Sequence, residues 1–445
     1  MATTSSEWSS RLGFILASAG SAIGLGAIWK FPFWAGVNGG GAFIIPYIIF
    51  TFTIGVALVM AEVAIGRSGR GSALTAMKRL GGPVFGWLGA FSVFTSFLIV
   101  SYYSVVGGWC VSYLVDAFMG NATATDAEQL TNHFNTLVST ETSNVAWHLV
   151  FLSLTCGVVI AGVEQGIERL SKYLMPTLFV LMLCIIVRGM MLPGAWEGVL
   201  FLFDFSFDKL TSASILNAMG FTFFSLSLGA GILVTYGSYL SKDTCIPNSS
   251  IWVAVLAIQA ALLAGLMIMP AVFAFGLEPN AGPGLVFITV PLIFGSIPFG
   301  DVFAVLFYVC LLVAALTSSV SLLEVVIAFL QNEWHLSRRV AVIGCWVSLF
   351  FLGAVSALSF GCWSDIQIAG RNIFDFLDFV CTNFFMPAGG LAVALLAGWR
   401  AWPAIRKEIL SVRQYSEGTV KVIRFMLSYL APVLVLVAFY QGIFG

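Results

Sequence analysis

The sequence predicts an all-α membrane protein of eleven spans in which the first and sixth helices are broken. Three observations carry this: a composition too apolar for a water-exposed surface, eleven long apolar runs, and two glycine-interrupted runs about two hundred residues apart. Of 445 residues, 59% are hydrophobic and only 9% charged, with a mean hydropathy of +0.99. Such a chain cannot clothe itself in polar side chains. Runs of about 20 apolar residues cross roughly 30 Å of hydrocarbon. They fall at 11–35, 42–66, 85–118, 145–163, 168–190, 214–239, 249–276, 299–330, 338–358, 372–398 and 421–444.

Span 1 contains Gly20, Gly24 and Gly26 in mid-membrane and Pro32 soon after. Each glycine weakens a helix by roughly 1 kcal/mol relative to alanine, so the segment reads as a helix built to break. Lys30 and Pro32 within it, and only a short polar tail before it, argue against a cleaved signal peptide. Spans 2, 3 and 4 rest on their apolar runs alone. The outer loop 119–144 is rich in Thr, Asn, Ala and Ser and is expected to be partly ordered; its sequon, Asn121-Ala-Thr123, reads as chance. Span 5 opens with Gly166 and Pro176, a spacing that either makes its inner half easy to unwind or marks a plain kinked entry.

Span 6 repeats the break of span 1 at Ser225-Leu-Ser-Leu-Gly-Ala-Gly231. Between spans 7 and 8, Pro279-Asn-Ala-Gly-Pro-Gly284 and Pro291 flank an apolar stretch too short to cross, expected to fold back as an outer lid over 277–298. Span 8 carries Thr317-Ser318-Ser319, and spans 9, 10 and 11 again rest on apolar runs. Because spans 1–5 and 6–10 each begin with a broken helix, the chain divides into two five-helix repeats of opposite topology plus one extra span. The divisions are a tail 1–10, a first repeat 11–190, a second repeat 191–398, a basic cytoplasmic loop 399–420 and helix 11 over 421–445.

Charge placement sets orientation. With the N-terminus cytoplasmic, the inner loops hold residues such as Arg67, Arg70, Lys78, Arg79, Arg169, Lys172, Arg338, Arg339, Arg400, Arg406 and Lys407, against Arg188, Lys209 and Arg371 outside. This predicts a multi-pass cell-membrane protein with its C-terminus outside. The net charge of −1 gives no reason to expect nucleic acid as a partner. Six of the eight cysteines lie inside spans and the three histidines are scattered, so neither a disulfide framework nor a metal cluster is indicated.

Unwound backbone at membrane depth is tolerated only where it lines a protein cavity. Two facing breaks supply half-helix N-termini for an anionic group and freed carbonyls for a small cation. The hydroxyls of span 8 add oxygens at the same depth, although such hydroxyls often only bond the preceding turn.

The motifs Trp8-x-x-Arg11-Leu-Gly13, Gly20 to Gly26, Phe31-Pro32, Asn38-Gly-Gly-Gly-Ala-Phe43, Glu62-x-x-x-Gly66-Arg67, Ser225-Leu-Ser-Leu-Gly229, Pro270-Ala-Val-Phe273 and Leu316-Thr-Ser-Ser319 resemble the neurotransmitter:sodium symporter family across nearly the whole chain. Within it the chain looks like the bacterial amino-acid transporters with eleven helices. The resemblance implies the leucine-transporter fold and alternating access, with sodium driving uptake of a small amino acid or amine, by a monomer or weak dimer among membrane lipids.

Carried over by position, the resemblance implies a sodium site at the carbonyls of Gly20, Ile23 and Ala314 and the hydroxyls of Thr317 and Ser318, the family's second site. It implies a substrate pocket of Ala22, Gly24, Leu25, Gly26, Ile99, Tyr103, Phe224, Ser225, Ser227, Ala230, Ser318 and Leu322. Glycine at 24, where monoamine carriers hold an aspartate, leaves room for a substrate carboxylate against the helix-1 amides and Tyr103. Small residues at 229–231 open the pocket to bulky hydrophobic or aromatic side chains.

The departures are as informative. Ala27 stands where the family's first sodium site has an amide, and Ala257 (or Leu256) where helix 7 supplies a second. At the chloride locus Phe221 replaces a glutamine and Ala261 a serine or acid, leaving Tyr47 and Ser225. One sodium per cycle and no chloride dependence are expected, unless Gln259 rescues the first site through a register shift. Without that ion the carboxylate relies on amides and Tyr103 alone. Lys30 and Asp378 are the expected outer latch above Phe224 and Tyr103, and Trp8 and Tyr239 the inner plug. The family's inner ion pair is absent on both sides, at Ser5 and Asn332. Glu62 and Glu324 are expected to hydrogen-bond broken backbone rather than couple protons. A proton-coupled or uncoupled carrier on the same fold is the alternative; no motif of an intramembrane enzyme is present.

Overall fold

The computed structural model describes residues 7–277 and 284–444. Among these, nine continuous helices are long and apolar enough to cross a membrane: Gly41–Gly69, Pro83–Phe118, Glu141–Ile160, Val163–Met190, Ile246–Ala274, Gly300–Glu333, Arg338–Leu358, Ile373–Arg400 and Glu417–Tyr440. They are spans 2, 3, 4, 5, 7, 8, 9, 10 and 11. Span 1 is a pair of half-helices, 1a (Arg11–Ala22) and 1b (Leu25–Val37), bent by 52°. Span 6 is likewise split into 6a (Ser212–Ser225) and 6b (Ile232–Ser238). Among the described residues ten of the eleven expected spans are long and apolar enough to cross, counting span 1 as one, and the sixth is present as two short half-helices, with ends shifted by a few residues. The face that bears the N-terminal segment is termed inner below.

The two breaks have different causes. In span 1 the helix is lost only at Ile23 and Gly24, a narrower gap than the glycine spacing predicts. Gly20 and Gly26 stay helical, and their missing side chains serve close approach: a Cβ at 20 would stand 3.3 Å from Cβ of Thr317, and one at 26 would strike the Phe224 ring. In span 6 the gap runs from Leu226 to Gly231 and is made by backbone conformation, with positive φ at Ser227, Gly229 and Gly231. Glycine takes that region without the steric cost a Cβ imposes.

Small residues seat the helices around the breaks, since close backbone approach is a main route to helix association in lipid. Gly66 of span 2 lies on the Val234 carbonyl and Gly237 of 6b on that of Val63, leaving no room for a side chain at either position. Gly389 of span 10 abuts the carbonyl of Gly229, so span 10 packs directly on the second break.

Within 277–298, where a lid is expected, the described residues form a short helix, Leu285–Gly295, while 278–283 lie outside the described residues. Phe287 fastens it, with ring centroids 5.1 Å from Tyr113, 5.5 Å from Phe134 and 5.9 Å from Trp109. Phe134 belongs to a helix, Ala127–Ser139, that orders much of the 119–144 loop.

Candidate functional site

The last carbonyls of 1a have no helical partners, because the chain stops coiling at Ile23. Two other elements reach them. Ser318 of span 8 donates its hydroxyl between the carbonyls of Gly20 at 3.2 Å and Ser21 at 3.1 Å. Ser227, in the second break, donates to the same Ser21 carbonyl at 2.9 Å. Spans 1, 6 and 8 thus meet at one oxygen. Thr317 lies beside this junction, its hydroxyl 3.1 Å from the carbonyls of both Val313 and Ala314. Gly20, Ala314, Thr317 and Ser318 are therefore brought together, and Ile23 stands next in the chain with a non-helical backbone.

On the other side of the break, Tyr103 of span 3 accepts the Leu25 amide N–H at 3.2 Å. A Cβ on Gly24 would lie 2.5 Å from the Ser318 hydroxyl and 3.0 Å from that of Tyr103, so Gly24 faces both. Positive amide ends of 1b and negative carbonyl ends of 1a point into one small region, a field suited to a zwitterion or to an anion beside a cation. Ala22, Ile99, Ala230 and Leu322 are buried and apolar. Ser96 holds the second break by donating to the Ala230 carbonyl at 2.6 Å. Ser225 bonds its own helix, at Thr222 O, 3.2 Å away.

The positions that depart from the family pattern are filled by carbon. Ala27 and Ala257 are buried. Phe221 and Ala261 lie with Tyr47, Phe31, Phe43 and Ile258 in one apolar cluster, Phe221 being 5.1 Å from Tyr47 ring to ring. Gln259 is on the exposed side of span 7, away from the face that buries Ala257, Ala260 and Ala261.

The residues expected at the two gates are engaged with one another. Outside, Phe224 covers Gly26, Lys30 Nζ stands 4.2 Å over the Phe224 ring and 3.7 Å from Asp378, so one cation clamps both. Inside, Trp8 donates its indole N–H to the Tyr236 carbonyl at 2.9 Å and its amide to that of Tyr239 at 3.3 Å. Tyr239 therefore holds Trp8 through its backbone, while its hydroxyl goes to Glu324 at 2.9 Å.

Of the two intramembrane acids, Glu62 matches its expectation: it accepts the Gly229 amide at 2.8 Å, inside the second break. Glu324 does not. Its carboxylate pairs with Arg338 at 2.5 Å, at the inner start of span 9, because that guanidinium is near enough to neutralise it.

Sequence reasoning missed Glu168. It sits at the inner end of span 5, where Val163–Glu168 is wound as a π-helix, and is almost wholly buried. It accepts the Ser9 amide at 2.8 Å and the hydroxyls of Ser9 and Ser10 at 2.6 and 2.9 Å, and it pairs with Lys172 at 2.7 Å. Gly13 leaves the space its carboxylate occupies. The acid thus holds Ser9 and Ser10, the Ser10 hydroxyl itself capping 1a by accepting the Gly13 amide at 3.0 Å, and draws the tail against span 5. Ser5, one side of the expected missing pair, lies outside the described residues; Asn332 bonds its own helix at Ala328 O. The only hint in sequence was an acid inside the segment flagged by Gly166.

Comparison with known proteins fits this geometry. The pattern of the "Sodium:neurotransmitter symporter family" matches residues 5–144 and 138–444. The chain is 42% identical over 393 residues to the sodium-dependent transporter YhdH of Bacillus subtilis, covering 87% of this chain and 86% of that one. It is 34% identical over 449 residues to a sodium-dependent transporter of Haemophilus influenzae, covering 98% of both. The crystal structure of MhsT in complex with L-phenylalanine superposes with a TM-score of 0.90 at 40% identity, covering 98% of this chain and 99% of that chain. The expected five-plus-five arrangement with an added helix, the leucine-transporter fold, is present.

Proposed function

The chain belongs to the sodium:neurotransmitter symporter family, and from that membership we propose that it imports a bulky hydrophobic or aromatic amino acid by alternating access, coupled to one sodium ion and independent of chloride. The observation that carries this reading is the junction at Ser21, where the hydroxyls of Ser318 from span 8 and Ser227 from the second break meet a freed carbonyl of 1a. Gly20, Ile23 and Ala314 carbonyls with Thr317 and Ser318 hydroxyls would hold the sodium. The substrate would lie on the far side of the break, its carboxylate toward the Leu25 and Gly26 amides and Tyr103. Ala22, Ile99, Phe224, Ser225, Ser227, Ala230 and Leu322 would enclose the rest. Phenylalanine bound to MhsT is consistent with an aromatic substrate.

The carbon-filled positions support the ion count. A hard cation takes about six oxygen ligands, and Ala27 and Ala257 offer methyl groups, while Gln259 is directed elsewhere. The apolar cluster around Phe221 likewise leaves an anion no donors beyond Tyr47 and Ser225. The N-terminus is assigned to the cytoplasm from its basic loops, so Trp8, Tyr239 and Glu168 close the inner gate and Lys30 and Asp378 the outer.

The test is uptake into proteoliposomes. Labelled phenylalanine is expected to enter with sodium and not with choline in its place, to enter equally with chloride or gluconate, and to be displaced by leucine or tryptophan. If glycine and alanine compete better than these, the substrate assignment fails; uptake that persists in choline removes the sodium coupling.

Glu168→Ala should loosen the inner gate. It removes the charge-assisted bonds that hold Ser9 and the helix cap Ser10, each such bond being worth about 1.5–3 kcal/mol, so amide hydrogen exchange across residues 8–13 is expected to speed by about tenfold or more. Glu168→Gln, which retains an acceptor for Ser9, should lie between. Unchanged exchange in Glu168→Ala would show that the contacts hold nothing.

A further inference from the structure

Spans 10 and 11 cross where Gly398 lets Ser428 approach, the serine hydroxyl donating to the Gly398 carbonyl at 3.0 Å. Beside the crossing, Trp399 donates its indole N–H to the Ser428 carbonyl at 2.8 Å and lies edge-on to Tyr429, 5.2 Å between centroids. Phe425 is 5.7 Å from Tyr429, one turn earlier on the same helix. These three rings pack on one another but not inward: Trp399 is 55%, Phe425 57% and Tyr429 53% exposed. In a membrane protein that face meets lipid.

Cations stand at the aqueous end of the same face. Lys421 continues the stripe of Phe425 and Tyr429 by one more turn, Arg400 follows Trp399, and Arg424 lies 5.5 Å over the Trp402 ring, all three exposed. The acids of this segment are engaged elsewhere, Glu417 with Arg406 at 2.5 Å and Glu408 with Arg67 at 2.5 Å. Among the described residues no carboxylate pairs with Arg400, Lys421 or Arg424, so three positive charges border an apolar aromatic strip.

We propose that the ends of spans 10 and 11 form a binding site for an anionic phospholipid, with its phosphate among Arg400, Lys421 and Arg424 and an acyl chain along Trp399, Phe425 and Tyr429. The charge order fits a lipid better than a free anion, because the cations occupy only the water-facing end of the strip and the rings continue it into the hydrocarbon. Each basic residue near an anionic bilayer surface strengthens association about fivefold, on the order of a hundredfold for three.

The experiment is native mass spectrometry of the purified full chain in detergent, titrated with dioleoylphosphatidylglycerol or dioleoylphosphatidylcholine. The first lipid bound is expected to favour phosphatidylglycerol by tenfold or more. The R400Q/K421Q/R424Q variant should lose that preference, W399A/Y429A should weaken both lipids together, and R188Q, at the opposite membrane face, should change nothing. Inorganic phosphate at millimolar concentration should not displace the lipid. Retained preference in the triple variant overturns the site, and displacement by phosphate makes it a simple anion patch. Should the triple variant fail to fold by thermal melting, K421Q/R424Q gives the same reading with a smaller loss.

Discussion

Gly26→Ala is expected to reduce amino-acid uptake by about 10- to 100-fold while leaving sodium binding intact. A Cβ at this position falls within the Phe224 ring, which is flat, rigid and already held from above by Lys30 at 4.2 Å. The ring cannot bend aside as a flexible chain would, so 1b and 6a must separate or Phe224 must leave its position over the site. Overpacking of this kind costs about 1–3 kcal/mol. The sodium ligands proposed here sit on the other side of the break, against span 8, and the strain does not reach them. A sodium-dependent thermal shift should therefore persist when uptake has fallen. Phe224→Leu in the same chain removes the rigid ring, and partial recovery of uptake in the double variant would mark the two residues as coupled, as neighbours in contact are. Uptake within twofold of the parent in Gly26→Ala would rule out the closed position of Phe224 as the transporting one.

That prediction could not have been written from the sequence. Gly20, Gly24 and Gly26 look alike there, three helix-weakening residues in an apolar run. The structure separates them: only Gly24 lies in the gap, while Gly20 and Gly26 remain helical and make room for Thr317 and Phe224. A sequence reports backbone propensity, but the reason for a missing Cβ lies in what packs against it, which is set by another span. The break itself was legible because glycine and membrane depth combine badly. The eleven spans were legible for a similar reason, since hydropathy measures the solvent a segment will tolerate.

Polar partners were harder. Glu62 could be paired with broken backbone because a buried acid beside a break has few other options, and Gly229 supplies the amide. Glu324 defeated the same argument, its partner Arg338 being an inner-loop cation that served only to set orientation. The role of Glu168 could not be read: its partners Ser9 and Ser10 lie some 160 residues away in a short polar tail, and nothing in periodicity joins a tail to a helix end. Long-range hydrogen bonds of this kind follow from the fold and seldom from the local pattern.

Sodium activation of uptake is expected to be hyperbolic, with a Hill coefficient near one, and to depend on Thr317 and Ser318. The carbonyls of Gly20, Ile23 and Ala314 cannot be removed by substitution, so the two hydroxyls are the adjustable part of the proposed site. Thr317→Val preserves shape and Ser318→Ala removes a single oxygen. Loss of one contact to a charged group costs about 1.5–3 kcal/mol, which raises the half-activating sodium concentration by roughly 10- to 150-fold for either variant. Ser318→Ala should be the more severe, because that hydroxyl also bridges 1a to span 8 at the Gly20 and Ser21 carbonyls. The measurement is initial uptake rate against sodium at constant ionic strength. Were the two hydroxyls only bonding their own backbone, both variants would activate like the parent. The one-ion count has its own check in Ala27→Asn. A single amide restores one oxygen where about six are needed, and Ala257 and the Phe221 cluster still offer carbon. The Hill coefficient should stay near one in that variant; a value near two, in it or in the parent, would place a second sodium where these side chains leave it no ligands.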